Sequence, residues 1–426
     1  MLTIAYLANE FPSPVEPYVA DEIEELRSRG VEVVSGSVRK PPASSRSSSD
    51  SVVLQSIHPI VFLQAAWLFA RRWKRIAGLL ARIVFRGSEG PLQRFKALVH
   101  TSLGACYAVQ LRNRGVDHIH VHHGYFGSWI AMTAARLLGI GFSMTLHGSD
   151  LLLHGAYLDL KLANCAFCLT ISDFNRRCIL QRYPGVSGRK IVVSRLGVKV
   201  SDHFPRSRRP ARTPLHLVAV GRLQKVKDHA FLVRACAALR IRGVDVECSI
   251  AGEGPERHKL ESLIRACGLQ DRVTLLGHVQ REQMDSLYDR ADVVVVTSRS
   301  EGIPLVLMEA MARAKLVLAP AITGIPELVV HGKTGFLYEP GSLADFVYRI
   351  LFIRSLLHTQ SASPHDHAFS VALLRHADWV RHAAQVQVRH NFNQAKNLES
   401  FSGSFLARIA PQTENLPHAN FVLQQI

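Results

Sequence analysis

The feature that most constrains this chain is a strict alternation of short apolar runs with amphipathic ones, broken once and then resumed. Residues 2–8, 31–38 (VEVVSGSV), 118–124 (HIHVHHG), 142–150 (FSMTLHGSD), 165–172 (CAFCLTIS) and 191–198 (IVVSRLGV) read as strands. Residues 17–29 (PYVADEIEELRSR) read as an amphipathic helix closed by Gly30, and PPASSRSSSDS at 41–51 as a polar loop. A short basic, proline-rich stretch without apolar period, PRSRRPARTP at 205–214, interrupts the pattern. It then restarts, with strands over 215–220, 244–251, 273–276, 292–297 and 316–319 and helices near 228–241, 256–267, 281–290 and 304–314. Such alternation demands parallel sheets covered on both faces, so the expected fold is α/β, with two doubly wound parallel-sheet domains. A length of 426 residues likewise exceeds what one core serves. The expected divisions are 1–204, a linker over 205–214, 215–385, a C-terminal helix over 386–410 and a loose tail over 411–426.

Fifty-one Lys and Arg against 34 Asp and Glu leave a net charge of +17, which selects anionic partners: nucleic acid, phosphorylated metabolites or an acidic membrane surface. No nucleic-acid-binding module accompanies the charge, so no nucleic-acid partner is expected. Seven cysteines sit mostly inside apolar runs, and Cys165-x-x-Cys168 has no second pair to complete a zinc site. They read as buried, reduced thiols of a cytoplasmic protein. MLTIAYLANEFPS has neither the basic start nor the apolar core of a signal peptide. Residues 59–86 mix apolar side chains and two tryptophans with Arg71, Arg72, Lys74, Arg75, Arg82 and Arg86. This is either an interface-lying segment on an anionic membrane or a pair of helices with a solvated basic rim.

Ligands bind doubly wound sheets at the carboxyl ends of the strands, and the polar loops fall there. Strand 215–220 runs into GRLQKVKDH, placing Gly221, Arg222, Lys225 and Lys227 where a phosphate can sit. AGEGPE brings the backbone at Gly252 and Gly254 close to an anion. Each alone is more often an ordinary solvated loop. SRSEGIPLVLMEAMARAK then places Glu301 before a helix whose first turn holds Pro304, and Glu309 within it among apolar residues. The free amides of that helix start suit a diphosphate. The plainer reading is that Glu309 pairs with Arg313 four residues on and Glu301 favours the helix dipole.

GRLQKVK, AGEGPE, DRVTLLGHV, the glutamates of EGIPLVLME and GIPELVVHGKTGFL, in this order, resemble the retaining nucleotide-sugar glycosyltransferases of family four, over roughly residues 1–345. The resemblance implies a GT-B fold, two Rossmann-like domains facing across a cleft, with a terminal helix crossing back to the first domain. It implies that Glu301 bonds donor-sugar hydroxyls, that Glu309 takes the ribose, and that Arg222 and Lys227 hold the diphosphate. Gly302, Ile303, Pro304 and Leu305 would line the donor, with the amides near Ile303 and Leu305 meeting the same diphosphate, and Gly277, His278 and Val279 would border the base. In the first domain LHGSD matches the family's histidine motif, which puts His147 near the reacting sugar with Asp150 beside it. NEFPSPVEPYVADEIEELRSRGVEV resembles an exopolysaccharide-making branch. Glu16, Tyr18 and Glu22 fit its pattern, whereas Val15 and Pro17 replace its serine and threonine.

The resemblance also implies a transfer that retains configuration, from a nucleotide-diphosphate sugar to a glycan or polyprenol-linked saccharide, with no metal and no cofactor. An enzyme on a lipid-linked acceptor would work at the inner face of the plasma membrane. The rival is a non-catalytic nucleotide-sugar-binding or scaffold protein of the same fold.

Overall fold

The structure is a computed structural model, and it describes residues 1–13, 16–40, 52–54, 58–85, 89–152, 155–200, 214–357 and 364–413. The polar loop at 41–51, the linker except Pro214 and the tail beyond Thr413 lie outside the described residues, as does Val15.

The chain forms two compact units. Among the described residues the first gathers 1–171, 175–194 and 398 onward, and the second 172–174 and 195–397. In chain order the first contains β1 (Thr3–Glu10), α1 (Pro17–Ser28), β2 (Glu32–Arg39), β3 (Val52–Val53), α2 (Pro59–Arg72), α3 (Ala77–Val84), α4 (Pro91–Arg112) and β4 (His118–His122). Next come α5 (Phe126–Leu138), β5 (Gly141–Leu146), α6 (Ser149–Leu152), α7 (Leu158–Asn164), β6 (Cys168–Thr170), α8 (Asp173–Arg182) and β7 (Ile191–Val193). The second contains β8 (Leu215–Val220), α9 (His229–Ile241), β9 (Val246–Ala251), α10 (Arg257–Ala266), β10 (Val273–Gly277), α11 (Arg281–Arg290) and β11 (Val293–Val295). It continues with α12 (Leu305–Ala312), β12 (Leu316–Pro320), α13 (Ile325–Leu328), β13 (Phe336–Tyr338), α14 (Leu343–Leu357) and α15 (Pro364–Asn391), and α16 (Gln394–Thr413) closes the described chain.

Both sheets are parallel. Their orders are β3-β2-β1-β4-β5-β6-β7 and β10-β9-β8-β11-β12-β13. Each reverses direction beside its first strand, at β1/β4 and at β8/β11, and the crevice outside that reversal is where such sheets take ligands. The strands alternate their side chains between two cores. Ala5 and Leu7 face a layer holding Tyr107, Trp129 and Ile130, while Ile4 and Tyr6 face Val19, Ile23, Leu26, Phe401 and Phe405. In the second sheet Leu217 and Val293 share one core with Leu232 and Phe346, and Val218 and Val294 share the other with Leu307 and Met308.

Of the two readings of residues 59–86, the described residues take the pair of helices: α2, a tight turn at Trp73–Arg75, and α3. Two other sequence expectations change. Pro304 is not in the first turn of its helix; it is the extended residue just before it, at φ −67° and ψ 124°. The single terminal helix over 386–410 is two, α15 and α16. All seven cysteines are free, and burial pushes the Cys165 thiol up to about 12, so it stays protonated.

Candidate active site

In the second unit four loops meet at the β8/β11 reversal. Gly221 donates its amide to Ala251, Leu223 to Glu253, and Gly252 to Gly277. A Cβ on Gly252 would lie 2.0 Å from the Gly221 carbonyl oxygen, and one on Gly254 2.4 Å from that of Leu223. Both glycines also have positive φ, 145° and 158°. Their glycine requirement therefore comes from the close approach of two backbones, which brings the AGEGPE turn against the GRLQKVK loop.

The loop after β8 is tied in turn to the loop after β11. Lys227 Nζ lies 2.5 Å from Glu301 Oε1, and Ser298 Oγ donates to the same oxygen at 2.6 Å. Arg299 pairs with Asp228 at 2.7 Å, and Thr297 Oγ1 donates to the Lys227 carbonyl at 3.0 Å. The Thr323 hydroxyl holds the Glu301 carbonyl at 2.5 Å. Glu301 is thus fixed from three sides, and Lys227 keeps two donors for a further anion. Arg222 is exposed, and its guanidinium has no partner among the described residues. The exposed His278 and the half-buried Val279 come directly after Gly277.

Glu309 settles between the two readings left open for it. Its carboxylate does not pair with the Arg313 side chain; it accepts the Tyr288 hydroxyl at 2.6 Å. The Arg313 guanidinium turns to Asp285 and lies 5.2 Å from the Tyr288 ring centroid. Burial, then the charge of Glu309, pushes the Tyr288 phenol well above its usual pKa, so it stays a donor. Between the glutamates, Pro304 turns the chain so that α12 begins with its first amides free of intrahelical partners. A carboxylate, a helix start and a second carboxylate therefore succeed one another along the loop and first turns, with Lys227 bonded to the first.

In the first unit a second polar cluster surrounds His147 at the β1/β4 reversal. Asp150 is fully buried and takes the amides of Gly124 at 2.9 Å, His147 at 3.1 Å and Gly148 at 2.8 Å. His123 lies between Glu16, at 2.8 Å, and Asp150, at 3.5 Å. Burial alone would lower its pKa, but the two carboxylates win and raise it to about 10, so the ring is an imidazolium. That cation and the three amides hold Asp150 well below the usual carboxylate range, against the opposite pull of burial. Tyr125 stacks on His123 at 5.6 Å and lines a cavity of about 230 Å³ with Phe126, Trp129, Lys96 and Lys161. Burial drops the Lys161 ammonium to about 7, and three backbone carbonyls hold it.

The structure thus brings His147, Glu16 and Asp150 together in one unit, and Lys227, Glu301 and the loops of Gly221, Gly252, Gly254 and Gly277 in the other, where Glu309 comes one helix start after Glu301. Sequence reasoning passed over the hydroxyls that hold the glutamates, Ser298 and Tyr288, and gave no role to His122 and His123. Glu22 left a signal, since a carboxylate in register with Val19, Ile23 and Leu26 lies on the buried stripe of α1. Among the described residues, Glu22, His120 and His122 form the one histidine–carboxylate group with ligand atoms close enough for a metal ion. Those atoms are already bonded: His120 to Ser143 and Thr145, His122 and Tyr6 to Glu22.

Residues 201–363 match the family profile of the glycosyl transferases group 1. Over that stretch the chain is similar to a group 1 glycosyltransferase domain. It is 32% identical over 216 residues, 49% of each chain, to WcaL of Escherichia coli, whose name assigns it to colanic acid biosynthesis as a glycosyltransferase. The chain spans about half the length of the curated relatives it matches. Sucrose-phosphate synthase of Thermosynechococcus elongatus superposes on 96% of this chain and all of its own with a TM-score of 0.71 at 18% identity. Anabaena Alr3699/HepE, solved in complex with UDP, does so over 96% and all of its own, with a TM-score of 0.66 at 16% identity. These likenesses carry the two Rossmann-like units of the GT-B fold, and the stretch that matches the group 1 profile includes β8 to β13, the second sheet.

Proposed function

We propose that this chain is a glycosyltransferase that moves a sugar, with retention of configuration, from a nucleotide-diphosphate donor to a glycan or lipid-linked saccharide during synthesis of a cell-surface polysaccharide. The observation that carries the reading is the arrangement around α12: Glu301 bonded to Lys227, a free helix start, and Glu309 facing a phenol rather than its helical neighbour. A nucleotide sugar offers hydroxyls at both ends and a diphosphate between them, which is the order of groups the loop presents. Glu301 takes the sugar hydroxyls and Glu309 the ribose. A donor with a uracil base fits the UDP-bound neighbour.

In the reaction the bond from the anomeric carbon to the diphosphate breaks, an oxocarbenium-like sugar forms, and the acceptor hydroxyl attacks from the same face. The departing phosphate takes its proton. Charge grows on the diphosphate as it leaves, so Arg222, Lys227 and the amides of α12 do the work a divalent ion could do. His147, held by the Asp150 cluster of the first unit, bonds a sugar hydroxyl.

Exposed apolar side chains on α2, α3 and α4, among them Ile60, Leu63, Trp67, Phe85, Leu92 and Phe95, accompany a segment with eight Lys or Arg and one acid between residues 58 and 100. Part of that charge is internal, because Arg72 caps the Leu137 carbonyl at 2.6 Å and Arg82 pairs with Glu89 at 2.8 Å. The remaining surface suits an anionic membrane, where a lipid-linked acceptor resides, at the cytoplasmic face. Among the described residues no helix is long and apolar enough to cross a membrane.

The test is product analysis. The protein is incubated with UDP-, GDP- and ADP-sugars, with and without EDTA, and release of nucleoside diphosphate and the anomeric configuration of the product are read by NMR. Release with retention, undiminished by EDTA, is expected. Inversion overturns the mechanism, loss with EDTA overturns metal independence, and no release from any donor favours a binding protein.

A further inference from the structure

Glu22 lies on the buried side of α1, where an ionised carboxylate is costly unless its lone pairs are used. Its Oε2 takes the Tyr6 hydroxyl and lies 2.9 Å from His122 Nε2. The other nitrogen of His122, Nδ1, lies 3.0 Å from His147 Nε2. Glu22, Tyr6 and His122 are all buried, while His147 at the end of the row is half-buried. The nucleotide-sugar reading uses His147 and leaves the two residues behind it without a task.

Counting donors and acceptors fixes the protons along this row. Tyr6 has one proton and gives it to Glu22, so it has none for His122. The carboxylate can only accept, so His122 carries its proton on Nε2 and donates. A neutral His122, with that one proton on Nε2, presents Nδ1 as an acceptor, and His147 Nε2 then carries the proton it receives. Burial, then the charge of His123, push the His147 ring well below the usual histidine range, so it is neutral and has no other proton. Its Nδ1 is left as a bare lone pair.

We propose that Glu22 and His122 are positioning residues that lock His147 in the Nε2–H tautomer, so that it presents Nδ1 as a hydrogen-bond acceptor to a hydroxyl of the donor sugar or of the attacking saccharide. The opposite tautomer could only donate from that nitrogen, and would turn away the hydroxyl proton instead of orienting it. The consequence for turnover rests on the glycosyltransferase reading; the tautomer itself does not.

The experiment uses the full chain labelled with 15N-histidine, in which two-bond proton–nitrogen correlations separate bare from protonated ring nitrogens. His147 is assigned by the signals that vanish in His147→Gln. The wild type is expected to show a bare Nδ1 and a protonated Nε2. Glu22→Gln, whose amide can also donate, is expected to mix or invert that pattern. It should lower kcat about ten- to hundredfold with little change in donor KM, the range seen when the outer partner of an oriented histidine is removed. Glu22→Asp should restore both. A protonated Nδ1 in the wild type overturns the proposal, and so does a Glu22→Gln protein with unaltered tautomer, whatever its kcat. Should Glu22→Gln not fold, the wild-type spectrum decides alone. Absence of transfer from every nucleotide sugar would sink the glycosyltransferase reading while leaving the tautomer measurement intact.

Discussion

At the scale of single residues, the site consists of charged groups each held by a neighbour that the local sequence does not reveal. Lys227 is expected to matter most for turnover: in the proposed reaction Lys227→Met would take a positive charge from the leaving diphosphate and free Glu301, and should cut kcat by about 10²–10³. Steady-state kinetics on the preferred donor would show it, and a near-normal kcat would exclude a role in the transition state. His123 gives a prediction in pH. Its folded pKa of about 10 lies above its unfolded value, so the folded state binds the extra proton. Its contribution to stability is fully present below about pH 6.5 and is lost as pH rises towards 10. The melting-temperature gap between wild type and His123→Gln should therefore be large at pH 6 and narrow by pH 10. A gap that widens with pH would mean that the Glu16 and Asp150 contacts are misread. The glutamates were legible from sequence because carboxylates flanking a helix start in an apolar run need a reason. Ser298 and Tyr288 were not, because a hydroxyl is at home in any half-exposed place, and only the fold says whose lone pair it faces.

At the scale of elements, the strands were legible because a parallel strand buried on both faces must be a continuous apolar run. The reading passed over α5 for a related reason: ten of its thirteen residues are buried, so it shows no polar face to give a helical period. The pair α2 and α3 was one reading of 59–86, but the place of the break was not legible, because nothing between Arg72 and Ile76 is a proline or glycine. Element packing also makes the glycine prediction definite. Gly252→Ala drives a Cβ into the Gly221 carbonyl at a φ that side chains avoid, and should cost about 2–4 kcal/mol or more, combining backbone strain with a clash that neither backbone can relieve. Denaturant titration would measure it. A loss under about 0.5 kcal/mol, the range of an ordinary surface change, would mean the two loops are not packed as described.

At the scale of the whole molecule, the composition announced an anionic partner and the alternation announced two doubly wound units, while neither told where the partner sits. The charge has two proposed uses, at the loops of β8 and on α2 to α4, and they should respond differently to salt. Vesicle flotation should show binding to anionic lipid at low ionic strength that fades towards 1 M salt, where the screening length falls to about 3 Å. Leu63→Glu should weaken it, and equal binding to neutral vesicles would contradict the electrostatic part. The central claim remains the clamp around α12, and its most direct measurement is a thermal-shift panel of UDP, GDP and ADP sugars on wild type and Glu309→Ala. A ligand that binds only the folded chain raises the melting temperature. One donor class should stabilise the wild type and lose most of that effect in Glu309→Ala. Equal stabilisation of both proteins would contradict the clamp.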